Sequence, residues 1–263
     1  MIEQDYDLQA SFYDDMMPRL TSESPEIQAY AGFLQGRSKL VEFGCGTGRI
    51  SFPLIKRLAE QKSLSRFVGL DISAAMIDKA LVKLERQGAE TQETVSISFE
   101  TGDAGGSLPL VLDSFFDAAI AFCGLTSLLG RKKLLPFFQN VYRSLVPGGI
   151  LLVDSLDPRT TALSAPLVDK TYTKVSETSG LASFTEVVGD QYNAEFVWIS
   201  GSIARRFTER SQLIPPELLR ECALIAGFQP QEELSTTLKQ QLDQINGPLM
   251  NFETFTKASQ NPI

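Results

Sequence analysis

The chain has 263 residues, 43% of them hydrophobic, a formal charge of −8, three cysteines and no histidine. Such a chain can bury a sizeable core. The acidic balance disfavours a nucleic-acid partner, and no stretch reaches the length of a bilayer span. Without histidine there is no Ser-His-Asp triad, no Cys-His pair and no histidine-bound metal.

Met1-Ile2-Glu3-Gln4-Asp5 lacks the basic-then-apolar pattern of a signal peptide. Cys45, Cys123 and Cys222 make neither a disulfide nor a zinc pattern. Both observations point to a cytoplasmic protein. Apolar and aromatic residues at near-helical spacing within 5–18, among them Tyr6, Phe12 and Tyr13, predict a short N-terminal helix acting as a flap. A helix over Glu26–Leu34, closed by Gly36, follows. Lys39–Phe43 is the first strand. Gly44-Cys45-Gly46-Thr47-Gly48 turns it into a helix over Gly48–Gln61, in which Pro53 is tolerable only near the first turn.

Arg66–Asp71 is the second strand, and Ser73 caps a helix over Ala74–Gln87. Val95–Glu100 is the third strand, and Phe115–Phe122 a fourth, buried on both faces. Arg131–Leu145 is an amphipathic helix that Val146-Pro147-Gly148-Gly149 stops, and Ile150–Val153 is the fifth strand. The basic run Arg131-Lys132-Lys133 reads as a solvated face of that helix. Five alternations of strand and helix predict a doubly wound parallel sheet.

The pattern then changes. Thr171–Thr178, Ser183–Val188, Ala194–Ser200 and Ile203–Arg210 read as an antiparallel meander. Its aromatic residues Tyr172, Phe184, Tyr192, Phe196 and Trp198 either line a pocket or form the meander's own packing face. Pro215-Pro216 opens a helix that Gly227 caps, and strands are expected near Gln229–Leu234 and Asn251–Lys257. One domain carrying an insertion is expected, with divisions 1–36, 39–155, 156–211 and 212–263.

Three positions carry the chemistry. The turn reads Gly44-x-Gly46-x-Gly48, and Arg49 stands where a dinucleotide loop would have its third glycine, so a pyrophosphate-type loop fits poorly. Asp71, ending the second strand beside that turn, either accepts hydrogen bonds from ribose hydroxyls or simply sits at a helix N-terminus. Asp103 falls on the same sheet edge, as an adenine-edge residue or as a turn aspartate.

The order and spacing of Glu42-x-Gly44-x-Gly46-x-Gly48, Val68-Gly69-Leu70-Asp71-Ile72-Ser73, Gly102-Asp103-Ala104 and Leu145-Val146-Pro147-Gly148-Gly149 resemble the class I S-adenosylmethionine-dependent methyltransferase family. The resemblance covers 39–155. Ile214–Phe228 also resembles the family's last helix, and Phe12-Tyr13-Asp14 the N-terminal segment of small-molecule members. It implies a seven-stranded, mostly parallel sheet with a reversed last strand, and S-adenosylmethionine as cofactor. Gly44, Gly46 and Gly48 would lie along the methionine and ribose, with Glu42 fixing the turn near the ammonium. Asp71 would hold the ribose, Ile72 would pack on the adenine, and Asp103 with Ala104 would sit at the adenine edge. Phe122 would lie near the transferring methyl, and Tyr13 would close over the cofactor.

Phe122-Cys123-Gly124-Leu125-Thr126 lacks the motif of DNA-base methyltransferases. The implied reaction is methyl transfer to a nitrogen or oxygen of a small molecule. The absence of histidine favours an amine or an already acidic hydroxyl, and no catalytic base is assigned. No metal is implied. The insertion is read as a lid over the substrate or as a homodimer contact. The rival readings are a nicotinamide-dependent oxidoreductase and a non-catalytic cofactor-binding module.

Overall fold

A computed structural model describes residues 6–87, 94–108, 114–159, 168–174, 176–246 and 250–258. Two short helices, α1 (Tyr6–Ala10) and α2 (Tyr13–Met16), precede α3 (Pro25–Phe33). The core then alternates β1 (Lys39–Phe43), α4 (Ser51–Glu60), β2 (Arg66–Asp71), α5 (Ala74–Gln87), β3 (Ser96–Thr101), β4 (Phe116–Ala121), α6 (Leu125–Ser144) and β5 (Leu145–Leu156). Four strands follow: β6 (Val168–Lys174), β7 (Ser179–Val188), β8 (Gln191–Ser200) and β9 (Ile203–Gln212). The described chain ends with α7 (Pro216–Ala226), β10 (Phe228–Pro230), α8 (Glu232–Asn246) and β11 (Met250–Lys257).

Seven strands form one sheet in the order β10-β11-β5-β4-β1-β2-β3. The pairings β1–β2, β1–β4, β2–β3 and β4–β5 are parallel, whereas β11 runs antiparallel to β5 and to β10. The expected seven-stranded, mostly parallel sheet with one reversed strand is therefore what forms. The meander is a separate antiparallel sheet, β6-β7-β8-β9.

Because strand side chains alternate, each central strand feeds two cores. Leu40, Phe67, Ile120 and Leu152 pack on α3, α4, α5 and α8. Val41, Val68, Ala119 and Leu151 pack with Phe137 and Phe138 of α6 and Leu219 of α7. The large side chains Phe43, Phe67, Phe116, Phe137, Phe138, Phe228 and Phe255 are fully buried, and each contributes about 1.5–3 kcal/mol of transfer free energy.

Three expectations about elements are corrected. The polar stretch after Gln231 is a helix, α8, so the strand expected over Gln229–Leu234 shrinks to Phe228–Pro230. Ser235-Thr236-Thr237 are weak helix formers. Ser235 is nevertheless fixed there, because its hydroxyl donates to Gln231 O (2.9 Å) and accepts Thr254 N–H (2.9 Å). The second correction concerns α6, which starts at Leu125 and is kinked at Gly130 (φ 65°, ψ 175°). A β-carbon there would stand 2.7 Å from Gln212 Oε1, the atom that accepts Arg131 N–H (2.8 Å) from the helix. Third, α4 begins at Ser51, so Gly48 stays in the turn and Pro53 falls in the first turn of the helix, where its missing N–H costs little.

Two side chains staple the sheet's amino-terminal end. Lys257 Nζ of β11 donates to Tyr142 O (2.9 Å) and Leu145 O (2.7 Å), the unpaired carbonyls that close α6. The Asp117 carboxylate of β4 accepts Ser38 N–H (2.8 Å), Ser38 Oγ–H (3.0 Å) and Lys39 N–H (2.9 Å), fixing where β1 begins. Charge-assisted bonds of this kind are among the stronger ones. Asp117→Ala is expected to lower unfolding free energy by about 2 kcal/mol, read as a lower urea midpoint at unchanged m-value.

Candidate active site

The carboxyl ends of β1, β2, β4 and β5 meet at one edge, where an open parallel sheet binds its ligand. Gly44 N–H (2.7 Å) and Cys45 N–H (3.0 Å) both donate to Leu70 O, which ties the turn after β1 to the end of β2. The Asp71 carboxylate finishes the tie: Oδ2 accepts Gly46 N–H at 2.8 Å and Oδ1 accepts Ser73 N–H at 2.9 Å. Burial pushes the Asp71 carboxyl up, and these N–H groups pull it back. Each oxygen keeps a second lone pair for a further donor.

Gly46 sits at φ +54°, and a β-carbon built on it meets no atom within 4 Å. The turn therefore presents bare backbone there. At Gly44, itself at φ +74°, the same construction meets Leu125 Cδ1 at 3.0 Å, so both backbone and packing call for glycine there. Ile72, next to Asp71, is 57% exposed.

Glu42 lies under the turn, 3% exposed, and accepts Ser51 Oγ–H at 2.5 Å. Burial pushes its carboxyl up to about 8. Asp154, at the end of β5, is also 3% exposed, and burial pushes it up to about 7 although two amides bind it. Those amides are Cys123 N–H (2.8 Å) and Gly124 N–H (2.7 Å), and Thr126 Oγ–H donates to Asp154 O (2.6 Å). Asp154 so holds Cys123 at φ 61°, a region most side chains avoid.

Three expected residues are placed differently from the simplest reading. Asp103 pairs with Lys133 Nζ of α6 (2.7 Å) and accepts Gly105 N–H (3.0 Å), so it is a turn aspartate with an ion partner. Ala104 is buried against the α6 side of the sheet, and Asn140 Nδ2 donates to its carbonyl (2.9 Å). Phe122 is 3% exposed and stacks on Tyr30 at 4.1 Å, so its ring belongs to the core beneath the edge.

The N-terminal helices close over the edge. Thr47 Oγ–H of the turn donates to Asp14 (2.7 Å), and Lys83 of α5 pairs with Asp14 (2.7 Å) and donates to Thr47 O (2.8 Å). Ser73, besides capping α5, donates its hydroxyl to Asp7 (2.5 Å). Tyr13 is hydrogen-bonded by Arg49, whose Nη2 also contacts Cys123 Sγ at 3.2 Å. Burial raises the Tyr13 hydroxyl well above the ordinary tyrosine range.

The inserted sheet packs on these helices. Phe207 of β9 meets Phe12 at 5.7 Å and stacks on Phe196 of β8 at 4.8 Å. Trp198 is buried against Phe12 and Met16, and Arg205 donates to Ser11 Oγ at 2.6 Å. Phe196 and Trp198 thus face inward, whereas Phe184 is on the outer face, 39% exposed, and the side chain of Tyr172 lies outside the described residues. Tyr192 shares the inner face, opposite Ser211. Sequence reasoning missed Arg49, Cys123 and Asp154, which the structure brings to this edge. Of these only Asp154 had a visible signal, a carboxylate ending a strand on the ligand edge.

A groove of about 740 Å³ lies elsewhere, between α3 and α8 near the amino-terminal half of β5. Among the described residues its one charged lining residue is Arg37. Among the described residues no cluster could hold a metal ion, and no helix is long and apolar enough to cross a membrane.

Residues 40–149 match the family model described as a methyltransferase domain. Over those residues the chain carries a methyltransferase domain. It is 32% identical over 158 residues to the biotin biosynthesis bifunctional protein BioHC of Teredinibacter turnerae, which covers 60% of this chain and 25% of the relative. It is 30% identical over 179 residues to the uncharacterized methyltransferase AN0656 of Emericella nidulans, covering 65% of this chain and 61% of the relative. The chain thus spans less than two thirds of either curated relative. Its fold is shared with an S-adenosylmethionine-dependent methyltransferase of Clostridium acetobutylicum (TM-score 0.67, 15% identity, 97% of this chain and 99% of that one). It is shared too with CalS10, an amino pentose methyltransferase of Micromonospora echinaspora (TM-score 0.65, 16% identity, 95% and 97%).

The raised carboxyls make a pH signature. A folded value near 8 for Glu42, above the ordinary value of 4.5, means that the native state favours the protonated acid. Its contribution to stability is complete below 4.5 and lost as pH rises through about 8. Asp154 acts in the same sense between its ordinary 3.8 and about 7. Glu42→Gln is expected to remove on the order of 1–3 kcal/mol of the stability lost between acid and mildly alkaline pH, measured by urea unfolding at both ends.

Proposed function

We propose that the protein transfers the methyl group of S-adenosylmethionine to a nitrogen or oxygen of a small-molecule acceptor. The carrying observation is the pairing of Asp71 with Gly46 beside a turn whose backbone is bare at Gly46. The residues present fit the cofactor. Asp71 has spare lone pairs for two ribose hydroxyls, and exposed Ile72 offers an apolar face to adenine. Gly44, Gly46 and Gly48 line the methionine, and buried Glu42 beneath them, bonded to Ser51, fixes the turn near its ammonium. Asp103 and Ala104 act at the adenine edge through backbone atoms, since the Asp103 carboxylate is already paired. Tyr13 closes from α2, and Phe122 acts from below by supporting the β4 end on which Cys123 stands.

When bound, the cofactor supplies an electrophilic methyl on a sulfonium, which an acceptor lone pair attacks in line as the C–S electron pair stays with sulfur. The protein's work is then positioning and exclusion of water, effects that together contribute up to roughly 7–11 kcal/mol. Of the two roles expected for the inserted sheet, a lid and a dimer contact, the seating of Phe207 and Trp198 on Phe12 supports the lid. The acidic charge supports a small molecule over a nucleic acid as acceptor, and three free cysteines suit a reducing cytoplasm.

Isothermal calorimetry with S-adenosylmethionine and S-adenosylhomocysteine tests the reading, with NADH as the rival ligand. Heat with NADH alone, or with none of the three, would overturn it. Gly46→Ala should leave the fold intact at a cost of about 1 kcal/mol, because no atom stands in the way. It should weaken binding of S-adenosylmethionine at least about tenfold, because its methyl occupies the surface the ligand needs. Asp71→Asn should weaken it by about ten- to a hundredfold, the loss of one to two charge-assisted bonds.

A further inference from the structure

We propose that Glu209 of the inserted sheet is the acceptor-binding carboxylate, and that the acceptor is an amine, held as its ammonium ion between Glu209 and the hydroxyls of Tyr6 and Tyr13. The inference rests on the cofactor reading above and narrows its acceptor to one chemical class.

Register places Glu209. On β9, residues 205, 207, 209 and 211 share one face. Arg205 on that face bonds Ser11, and Phe207 packs on Phe12, so the face is turned toward α1 and α2. Glu209, one step farther along, lies opposite buried Ala194 of β8. Its one hydrogen bond among the described residues comes from Ser211 Oγ at 3.2 Å, and no lysine or arginine there pairs with it. Burial pushes its carboxyl above the ordinary range.

The surroundings of Tyr6 complete the site. Its hydroxyl is buried and has no hydrogen-bond partner among the described residues. Burial raises it far above the ordinary tyrosine range, and the nearby charges of Glu209 and Asp71 add to the effect, as does Tyr13. One unpartnered hydroxyl therefore stands within electrostatic reach of the inserted sheet's carboxylate and of the carboxylate assigned to ribose. The acceptor would enter between these elements. A half-buried carboxylate without a cation is costly, and a bound ammonium relieves that cost. Its three N–H donors match one carboxylate and two hydroxyl oxygens. An anionic acceptor would be repelled from the same place. Arg49, the nearby cation, is committed to Tyr13 and Cys123.

The step then balances simply. One N–H proton of the ammonium passes to a Glu209 oxygen, giving a neutral amine with a free lone pair and a carboxylic acid. That lone pair is the nucleophile for the methyl. The methylated ammonium that results carries the positive charge formerly on sulfur.

Sinefungin, which bears a primary amine where the cofactor bears its sulfonium methyl, probes the site without knowledge of the acceptor. S-adenosylhomocysteine, which bears nothing there, is the control for fold and cofactor binding. Calorimetry should find sinefungin bound more tightly than S-adenosylhomocysteine by the wild type. Glu209→Gln should weaken sinefungin about ten- to a hundredfold and change S-adenosylhomocysteine less than about twofold. Tyr6→Phe should show the same selectivity with a smaller loss. Equal weakening of both ligands by Glu209→Gln would assign the residue a structural role and overturn the proposal, as would undiminished sinefungin binding. If the wild type binds sinefungin no better than the control, no counter-ion faces the methyl position and the proposal also fails. Binding of neither ligand by the wild type would instead overturn the cofactor reading itself.

Discussion

The Asp71 carboxylate is the constraint on which the edge of the sheet depends. It ends β2, yet its two oxygens are spent on amides of two different turns, Gly46 after β1 and Ser73 before α5. A single side chain so fixes the ends of two strands relative to two helix starts. With Leu70 O accepting both Gly44 and Cys45 N–H groups, the turn has no freedom to collapse into the space beside it. The exposure of Ile72 and the bare backbone at Gly46 follow from that fixation. They are features of a surface held open by hydrogen bonds that lie behind it.

A second carboxylate does the same work one strand pair away. Asp154 binds the amides of Cys123 and Gly124 and holds the start of α6 in a left-handed turn. The two acids differ in their accounts with water. Asp154 is nearly inaccessible and pushed up to about 7, whereas Asp71 is only half-buried. This contrast between an acid that shapes the backbone and one that also offers itself to a ligand is the electrostatic layout of the site. Glu42 beneath the turn belongs with Asp154, sealed in with Ser51 as its partner.

The sheet and its order were legible in the sequence because each central strand is an apolar run ended by a glycine or an acid, and because Ser73, Pro216 and Gly227 mark helix ends by local chemistry. Such signals act over a few residues and survive without tertiary context. The helix after Gln231 was not legible, since Ser235-Thr236-Thr237 have poor helix propensity and their cost is offset only by β11, which is distant in sequence. In the site, the glycine turn and Asp71 were legible for the same local reason. Asp103 could not be assigned, because its partner Lys133 lies thirty positions away on α6. Glu209 had no signal at all. Its strand reads Arg-Arg-Phe-Thr-Glu-Arg, charged on both faces, and only the packing of Phe207 on Phe12 tells which face is the inner one.

The position of β11 has a consequence for how the chain can be made. It lies between β5 and β10, pairing with β5 from Met250–Leu156 to Thr256–Ile150, and its Lys257 closes the carboxyl end of α6. The strand that completes the sheet and the lysine that caps a core helix both come after residue 249 in synthesis. While the ribosome still covers them, β5 has an open edge and α6 an unfinished end. The glycine turn and Asp71 emerge long before, so that edge is written early but set firm only once β11 has left the ribosome. Nascent chains of this protein are therefore exposed to edge-to-edge pairing until β11 has emerged.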